Sequence, residues 1–316
     1  MKHFQSFEEL QEDGSIQQAW ATIGMFDGVH LGHQAILKPL IEQAHAAGSP
    51  AVVVTFFPHP MVVLRGVNEP IYLTAPEERA RLLGELGADA VITLTFDRAL
   101  AGLTAEEFMR ALSQAAGLRQ LWAGSDFALG RNRQGDLPTL RALGEQFGYR
   151  VHVTEEVRLE NDGGERISSS AIRKLLREGG AAGAARMLGR PYALEGPVVH
   201  GDGRGRQLGF PTANVGYWTE KVVPAYGVYA TWTWVGGERL PSVTSVGVRP
   251  TFDPPGAPPR VEAYLMDYTG DLYGQVARVD FLEFLRPELR FESVQELIDQ
   301  MVLDTQNARE VLAHAA

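Results

Sequence analysis

The segment Ile23-Gly24-Met25-Phe26-Asp27-Gly28-Val29-His30-Leu31-Gly32-His33 lies where an apolar strand is expected to turn into a helix. Its glycines let the backbone approach a ligand closely, and the spacing of His30 and His33 places both imidazoles on one face of the first helical turn. A helix N-terminus carries unpaired N–H groups and about half a positive charge, so phosphate is a suitable ligand here. The residues alone also allow an N-cap at Asp27 with exposed histidines, or a zinc site formed by Asp27, His30 and His33.

Apolar strands and amphipathic helices alternate through the first half of the chain. Thr74-Ala75-Pro76-Glu77 and Thr104-Ala105-Glu106-Glu107 are predicted capping boxes that open two helices, and further helices are predicted around 36–44 and 137–147. This alternation predicts a parallel sheet with helices on both faces, in which ligands bind beyond the carboxyl ends of the strands. Buried strands are predicted over 51–57, 90–96, 121–124 and 151–157.

Three further segments directly follow predicted strands and should lie at that same edge of the sheet. Phe57-Pro58-His59-Pro60 is consistent with a rigid turn or with the wall of a binding site. In the segment 124–130, Asp126 is either a cap or a ligand contact. In the segment 167–173, serine hydroxyls precede Arg173, whose guanidinium suits phosphate oxygens, although an ordinary serine N-cap explains the same residues.

Taken together and in this order, the four segments resemble the nucleotidyltransferase signature of the prokaryotic FAD synthetases, the bifunctional riboflavin kinase/FMN adenylyltransferases. The resemblance implies a Rossmann-like nucleotidyltransferase domain over residues 1–184, with His30 and His33 in catalytic positions. It implies an ATP-phosphate site formed by Gly24, Phe26, Asp27, Gly28, His30, His33, Ser168, Ser169 and Arg173. It implies an FMN side formed by Phe57, Pro58, His59, Asp126 and Phe127.

The chemistry implied for this domain needs no strong base. FMN already carries an ionised phosphate that can attack the α-phosphorus of ATP. The site must align this attack and stabilise the charge that develops on the α-phosphate and on the departing pyrophosphate. Cationic and hydrogen-bonding groups are sufficient for this purpose, and Mg²⁺ is expected to assist them.

Length, composition and charge limit the number of domains and the classes of protein to which the chain can belong. The 316 residues are 45% hydrophobic and 22% charged, which is enough to bury the cores of about two domains. A formal net charge of −10 argues against a general binder of nucleic acid or of anionic membranes. The absence of cysteine excludes disulfides, thiolate catalysis and Cys-ligated zinc. Glu8 and Glu9 stand where a signal peptide would have its apolar core, and no apolar run approaches the roughly 18 residues needed to span a bilayer. A cytoplasmic protein is therefore expected.

The residue composition changes in the second half of the chain, starting at the cluster of small residues around 178–184. Short runs rich in Val, Thr, Tyr and Trp follow, and Gly236-Gly237 is a tight hairpin signal between two of them. Ser293-Val294-Gln295-Glu296 is a capping box for a closing helix. These features predict a small antiparallel β-barrel followed by a helix. The strand-like runs cover 192–200, 227–235, 242–246, 261–267 and 275–284.

A glycine-rich segment within this half, residues 201–214, ends in Pro211-Thr212-Ala213-Asn214. It is neither a Walker A loop nor a dinucleotide-binding Gly-x-Gly-x-x-Gly motif. The glycines on their own are consistent with an ordinary barrel loop. Together with two arginines and the oxygen atoms of Thr212 and Asn214, they would form a cradle suited to phosphates and Mg²⁺.

This segment is similar to the riboflavin kinase signature, and the family's later motifs follow it at 245–252, 261–265 and 270–274. The resemblance implies that Thr212 and Asn214 hold the metal of Mg-ATP and that Glu262 acts as the base. On the residues alone, a solvent-facing position is the default for an isolated acid on a strand. Tyr264 stands where many relatives have a histidine. The implied ATP-binding residues of the kinase are Gly201, Gly203, Gly205, Gly209, Pro211, Thr212 and Asn214.

The sequence therefore predicts a bifunctional enzyme of FAD synthesis. Residues 185–316 would phosphorylate riboflavin to FMN with Mg-ATP, and residues 1–184 would adenylylate FMN to FAD with release of pyrophosphate. The expected partners are the small molecules ATP, riboflavin and FMN, not nucleic acid or a membrane. Two alternatives are a riboflavin kinase with an inactive adenylyl site and a non-catalytic flavin or nucleotide sensor.

Overall fold

The computed structural model of the chain describes residues 1–154, 166–201, 205, 208–248, 254 and 256–314. The chain folds into two compact units. The first, called the sheet unit, comprises Met1–Glu69 and Thr74–Ser168. The second, called the barrel unit, comprises Pro70–Leu73 and Ser169–Ala316. The compact barrel unit thus begins ahead of residue 185, and the boundary at 184/185 remains a prediction about functional domains.

The sheet unit contains a six-stranded parallel sheet with the strand order β1-β4-β3-β2-β5-β6. The chain runs outward from β2 through β3 to β4 and then continues on the other side of β2 with β5 and β6. The direction of winding therefore reverses between β2 and β5, which is where doubly wound sheets bind ligands. The strands are β1 Lys2–Phe4, β2 Trp20–Ile23, β3 Ala51–Phe57, β4 Ala90–Thr95, β5 Gln120–Gly124 and β6 Arg150–Thr154.

Helices cover both faces of this sheet, as the sequence predicts. Val52 and Val54 of β3 pack in one apolar cluster with Phe108, whereas Val53 between them packs in a second cluster with Leu40. The alternation of side chains along a strand produces this division. The helices are α1 Phe7–Asp13, α2 Leu31–Ala46, α3 Pro60–Arg65, α4 Pro76–Glu85, α5 Arg98–Gly102, α6 Ala105–Ala116 and α7 Leu137–Phe147, with a 3₁₀ turn at Arg131–Arg133.

Of the two capping boxes predicted in the sheet unit, one is confirmed and the other is wrong. Thr104 caps α6, because its hydroxyl accepts a hydrogen bond from the Glu107 N–H and Glu107 bonds back to it. Helix α4 instead begins at Pro76 with Ala75 as its N-cap residue. The hydroxyl of Thr74 donates a hydrogen bond to Asp27 in the loop after β2, and Thr74 is not the N-cap residue of α4.

The barrel unit contains a closed antiparallel barrel with the strand order β10-β11-β8-β7-β12-β9. The predicted hairpin joins β9 and β10, and both turn glycines have positive φ, 59° at Gly236 and 85° at Gly237, as a type I′ turn requires. The fold class predicted from the sequence is confirmed. The elements of this unit are α8 Ser169–Arg177, α9 Ala181–Leu188, β7 Tyr192–Val199, β8 Thr212–Val215, β9 Gly227–Val235, β10 Glu238–Gly247, β11 Arg260–Leu265, β12 Val276–Arg286 and α10 Val294–His314.

A buried ion pair fastens α10 to the barrel. The guanidinium of Arg286 at the end of β12 contacts both carboxylate oxygens of Asp304, with Nε 2.8 Å from one and Nη2 2.7 Å from the other. Gln300, one turn earlier in α10, donates a third hydrogen bond to Asp304 at 2.9 Å. The Asp304 residue is 3% exposed and the Arg286 side chain is 17% exposed, so loss of either partner would leave the other as a largely buried charge.

We therefore expect Asp304→Ala to lower the free energy of unfolding by about 3 kcal/mol, the loss typical when one partner of a buried ion pair is removed. Glu310→Ala, a change at an exposed acid on the same helix, is the matched control and should shift this free energy by less than about 0.5 kcal/mol. Urea unfolding followed by tryptophan fluorescence measures both changes. Equal, small effects of the two variants would show that the pair does not fasten the helix.

Candidate active sites

The loop between β2 and α2 has a backbone conformation that side chains rarely adopt. Phe26, Gly28 and Val29 have φ angles of 47°, 83° and 43°, which lie in the left-handed region. Glycine reaches this region freely, but Phe26 and the β-branched Val29 are strained there. Surrounding contacts must therefore hold this loop in place.

Hydrogen bonds between Asp27 and Thr74 provide much of that restraint. The Asp27 carboxylate, 1% exposed, accepts hydrogen bonds from the Thr74 N–H at 3.0 Å and from the Thr74 hydroxyl at 3.1 Å. The Gly28 N–H donates to the same hydroxyl at 3.1 Å. Asp27 is thus an anchor of the loop. It is neither an N-cap, since His30 caps α2, nor a partner of the histidines in a zinc site, since the described residues contain no cluster of acidic and histidine side chains that could hold a metal ion.

His30 and His33 meet at the start of α2, although only His33 lies within the helix. The His30 ring nitrogen Nδ1 accepts a hydrogen bond from the His33 N–H at 3.3 Å, which makes His30 the N-cap residue. The two imidazoles stack with their centroids 3.5 Å apart. His30 is 5% exposed, so the pair is not a solvent-facing feature of the helix. Because Nδ1 acts as an acceptor, a neutral His30 carries its proton on Nε2.

His33 is held as a neutral imidazole. Burial lowers the pKa of His33 well below its ordinary value of 6.5, and the positive charges of His30 and Arg79 lower this pKa further. Its Nδ1 atom is buried and has no hydrogen-bond partner in the described part of the chain. A buried polar atom of this kind beside a helix N-terminus is suited to bind a ligand.

The segment that precedes α8 passes the first turn of α2. A Cβ atom at Gly32 would lie 3.4 Å from the Ile167 carbonyl oxygen and 3.2 Å from the His30 ring. Ser168 follows immediately, and α8 begins at Ser169. Ser169 and Arg173 belong to the barrel unit, where Arg173 donates a hydrogen bond to the Ile71 carbonyl. Their part in the phosphate site stays a prediction.

An apolar cavity of about 540 Å³ opens beyond the carboxyl ends of β2 and β3. Phe56 and Phe96, whose rings meet edge to face at 5.9 Å, form part of its wall, and Phe127 forms another part. Phe57 is adjacent to Phe56 on β3, and successive residues of a strand point to opposite faces. Phe56 is therefore the cavity residue that sequence reasoning missed, although this alternation is a signal that could have identified it.

The other residues predicted on the FMN side have local structural contacts. His59 caps α3, because its Nδ1 accepts a hydrogen bond from the Met61 N–H at 3.1 Å. The exposed carboxylate of Asp126 pairs with Arg166 at 3.0 Å. Pro58 connects β3 to His59. Pro60, which follows His59, lines the cavity. The contacts of His59, Pro58 and Asp126 with FMN stay predictions.

In the barrel unit, the residues predicted for Mg-ATP and for the base lie on adjacent strands. Asn214 pairs with Glu262 and Thr212 pairs with Tyr264 across the β8–β11 ladder. The Thr-Ala-Asn part of the Pro-Thr-Ala-Asn motif, predicted as the end of a flexible loop, thus lies in strand β8. This pairing fixes the positions of Thr212 and Asn214 more firmly than a loop would.

Two glycines lie beside this ladder where other atoms leave little room for a side chain. A Cβ atom at Gly201 would lie 2.2 Å from the amide nitrogen of Asn214, and one at Gly205 would lie 2.3 Å from the Phe210 carbonyl oxygen. Gly209 and Pro211 lie between Gly205 and β8. Gly203, also predicted to bind ATP, lies outside the described residues.

Two cavities flank β8, each of about 260 Å³. The first lies between the barrel and α10 and is lined by Glu262, Tyr264 and Arg286. Glu262 is thus half-buried and lies in a cavity wall. The second cavity is lined by residues of the 268–273 segment, including Tyr273, whose ring stacks on His200 at 3.9 Å. Thr212 lines both cavities, so they share a wall.

Comparisons with known proteins match this arrangement. An FAD synthetase family model matches residues 13–171, and a riboflavin kinase family model matches residues 188–312. A bifunctional riboflavin kinase/FMN adenylyltransferase from Escherichia coli K12 is 40% identical over 291 residues, which is 92% of this chain and 91% of the relative. The chain belongs to the bifunctional riboflavin kinase/FMN adenylyltransferase family. A family member from Bacillus subtilis is 35% identical and covers 90% of both chains.

A crystal structure described as a macrolide-efflux protein from Streptococcus pneumoniae has the same fold. It superimposes with a TM-score of 0.86 at 30% identity and covers 98% of this chain and 99% of the other. The efflux description belongs to that protein alone, because both family models and the more similar relatives place this chain among the riboflavin kinase/FMN adenylyltransferases. Among the described residues, no helix is both long enough and apolar enough to cross a membrane.

The predicted function is therefore confirmed at the level of the family. The chain is a bifunctional transferase of FAD synthesis that contains both enzymatic domains, and the non-catalytic sensor is not favoured. The family relationship alone does not assign roles to individual side chains. Those roles depend on the geometry of each site.

The lowered pKa of His33 predicts a pH dependence of stability. Below about pH 6.5 the unfolded chain binds a proton at residue 33 that the folded chain does not bind, so the stability present above this pH is lost as the pH falls. We expect His33→Gln to make the free energy of unfolding less dependent on pH between pH 6.5 and 5, by up to about 1.4 kcal/mol per pH unit. Urea unfolding at several pH values measures the slope, and parallel curves for the two proteins would contradict the prediction.

Proposed function

We propose that the two units carry out successive steps on one vitamin, with the barrel unit phosphorylating the 5′-hydroxyl of riboflavin and the sheet unit adenylylating the resulting FMN. The observation that carries this division is that each unit holds a cavity of its own beside residues predicted to bind phosphate. In the sheet unit, the cavity adjoins the loop that ends in His30 and His33. In the barrel unit, the cavity contains Glu262 and Thr212.

In the proposed adenylyl transfer, the apolar cavity of the sheet unit receives the flavin ring. Aromatic walls such as Phe56 and Phe127 favour a flat, largely apolar ligand. The FMN phosphate would then attack the α-phosphorus of ATP while the bond to pyrophosphate breaks. The N-terminus of α2 and the ring N–H groups of His30 and His33 would donate hydrogen bonds to the phosphate oxygens as charge moves toward pyrophosphate.

The proposed kinase step needs a base because its nucleophile is an alcohol. Glu262 would accept the proton of the 5′-hydroxyl as the oxygen attacks the γ-phosphorus of ATP and ADP leaves. Since Thr212 lies in the wall between the two cavities, riboflavin would occupy the cavity with Glu262 and the nucleotide would occupy the cavity with Tyr273. This placement would bring the γ-phosphate to the shared wall.

The donor set of β8 fits Mg²⁺. The hydroxyl of Thr212 and the amide oxygen of Asn214 are hard oxygen ligands on one face of a strand, and Mg²⁺ is typically held by few protein ligands together with nucleotide oxygens and water. When bound there, the ion would neutralise charge on the ATP phosphates. Thr212 and Asn214 would orient it toward the base on the neighbouring strand.

We further propose that ATP, riboflavin and FMN are the relevant partners and that the protein works in the cytoplasm, where ATP is available. The net charge of −10 disfavours nucleic acid and anionic membranes as partners, since both repel a negative surface.

Separate sites predict separable activities. Purified protein with riboflavin, ATP and Mg²⁺ should yield FMN and then FAD, resolved by chromatography. His33→Ala should lower FAD formation from FMN by about 100-fold, the scale of losing a group that stabilises the transition state, and leave FMN formation within about twofold. Glu262→Gln should do the reverse, because an amide cannot accept the proton.

The wild-type result tests the proposal as a whole. Formation of neither FMN nor FAD would contradict it. FMN without FAD would favour a kinase with an inactive adenylyl site. An equal loss of both activities in either variant would contradict two separate sites.

The cavity assignment predicts a difference between two neighbouring phenylalanines. Phe56→Leu should raise the KM for FMN about 3- to 10-fold in adenylylation, because it removes an aromatic contact worth about 0.5–1.5 kcal/mol. Phe57→Leu is the matched control on the opposite face of β3 and should leave this KM within about twofold. Steady-state kinetics with FMN as the varied substrate measures both values. A larger effect at Phe57 would indicate that the flavin binds on the opposite face of β3.

A further inference from the structure

A buried arginine links two segments that border the adenylylation site. Arg79 of α4 is 0% exposed. Its Nη1 atom donates hydrogen bonds to the Met25 carbonyl oxygen at 2.9 Å and to the Phe56 carbonyl oxygen at 3.1 Å. The same atom lies 3.0 Å from the hydroxyl of Thr55, which itself donates to the Met25 carbonyl oxygen at 2.9 Å. One guanidinium group therefore connects the loop after β2 to the end of β3.

Those two segments have different tasks in the proposed reaction. Met25 belongs to the loop that leads to His30, where the nucleotide phosphates would bind. Phe56 belongs to the aromatic wall where the flavin would bind, and Met25 and Phe56 both line the cavity. The distance between the two substrates thus depends on the separation of these segments. Arg79 is not among the residues that line the cavity, and its side chain is fully buried, so it acts through other residues.

The charge of Arg79 is poorly explained by stability alone. Its Nη2 atom lies 4.0 Å from the Asp27 carboxylate, and both side chains are almost completely buried. Buried ion pairs stabilise a fold little compared with well-packed apolar side chains, because the desolvation of both groups offsets their attraction. A planar guanidinium can, however, bond several fixed acceptors at once, which neither an apolar side chain nor lysine can do in the same geometry.

We propose that Arg79 is a positioning residue for FMN adenylylation, which sets the separation of the nucleotide loop and the flavin wall so that the FMN phosphate lies in line with the α-phosphorus of ATP. This inference rests on the proposed function of the sheet unit. Alignment of two reactants contributes a large share of the rate in reactions of this kind, and a displacement of about 1 Å costs about 100-fold. Loss of Arg79 should therefore reduce turnover more than binding.

The test uses the full-length protein with four substitutions. Arg79→Met removes the guanidinium but keeps the apolar stem, and Arg79→Lys keeps the charge without the planar fork. Thr55→Val is isosteric and removes only the hydroxyl that bonds Arg79 and Met25. Leu83→Ala, at a fully buried position one turn further along α4, is the matched control for general loosening of the helix.

The measurements are kcat and KM for FMN and ATP in adenylylation, the Kd of FMN from flavin fluorescence, and the riboflavin kinase rate of the same samples. We expect Arg79→Met to lower kcat about 100-fold and Arg79→Lys to lower it about 10-fold, with KM and Kd within about threefold. Thr55→Val should lower kcat about fivefold, the equivalent of one hydrogen bond. Leu83→Ala should lower the melting temperature but keep kcat within about twofold below that temperature. The kinase rate should stay within about twofold throughout.

Several outcomes would overturn the inference. A kcat for Arg79→Met within twofold of the wild type would do so, as would equal losses of binding and turnover that Leu83→Ala reproduces. If Arg79→Met does not fold, wild-type kcat values in both Arg79→Lys and Thr55→Val would overturn it. A wild-type protein that makes no FAD from FMN would instead refute the proposed function, so the two failures are distinguishable.

Discussion

Hydrogen bonds between Asp27 and Thr74 restrain the backbone on which the adenylylation site is built. They hold a loop in which Phe26 and Val29 have positive φ, a conformation that costs free energy at each residue. The same conformation ends the strand abruptly and exposes the N-terminus of α2 with His30 as its cap. The strain in the loop and the access of a phosphate group to the helix N-terminus are therefore two results of one set of contacts.

The two sites differ in the way their chemistry demands. Adenylylation begins with a phosphate that is already ionised, and the site proposed in the sheet unit correspondingly contains the neutral imidazole of His33 and a helix N-terminus. Phosphorylation begins with an alcohol, and the barrel unit presents the carboxylate of Glu262 in a half-buried cavity wall. In the proposed mechanism, the first site stabilises charge that moves, whereas the second also removes a proton.

Local patterns in the sequence were enough to predict the sheet, the barrel and the positions of most site segments, because each depends on residues close together in the chain. Contacts between distant residues were not predictable in this way. Asp27 was assigned to phosphate binding or capping, but its partner Thr74 lies 47 positions away. The hydroxyl of Thr74 was in turn assigned to a capping box. Phe56 was missed although strand alternation separates it from Phe57, and Arg286 was missed because its ion pair with Asp304 forms only after α10 folds back on the barrel.

The neutral state of His33 also bears on how the enzyme meets its nucleotide. Burial and nearby positive charges disfavour a proton on this imidazole, whereas a triphosphate at the N-terminus of α2 would favour one. Because linkage is reciprocal, arrival of ATP at this position would draw a proton from solution, and release of pyrophosphate would return it. The catalytic cycle would then exchange protons with the buffer even though no side chain of this site acts as a base.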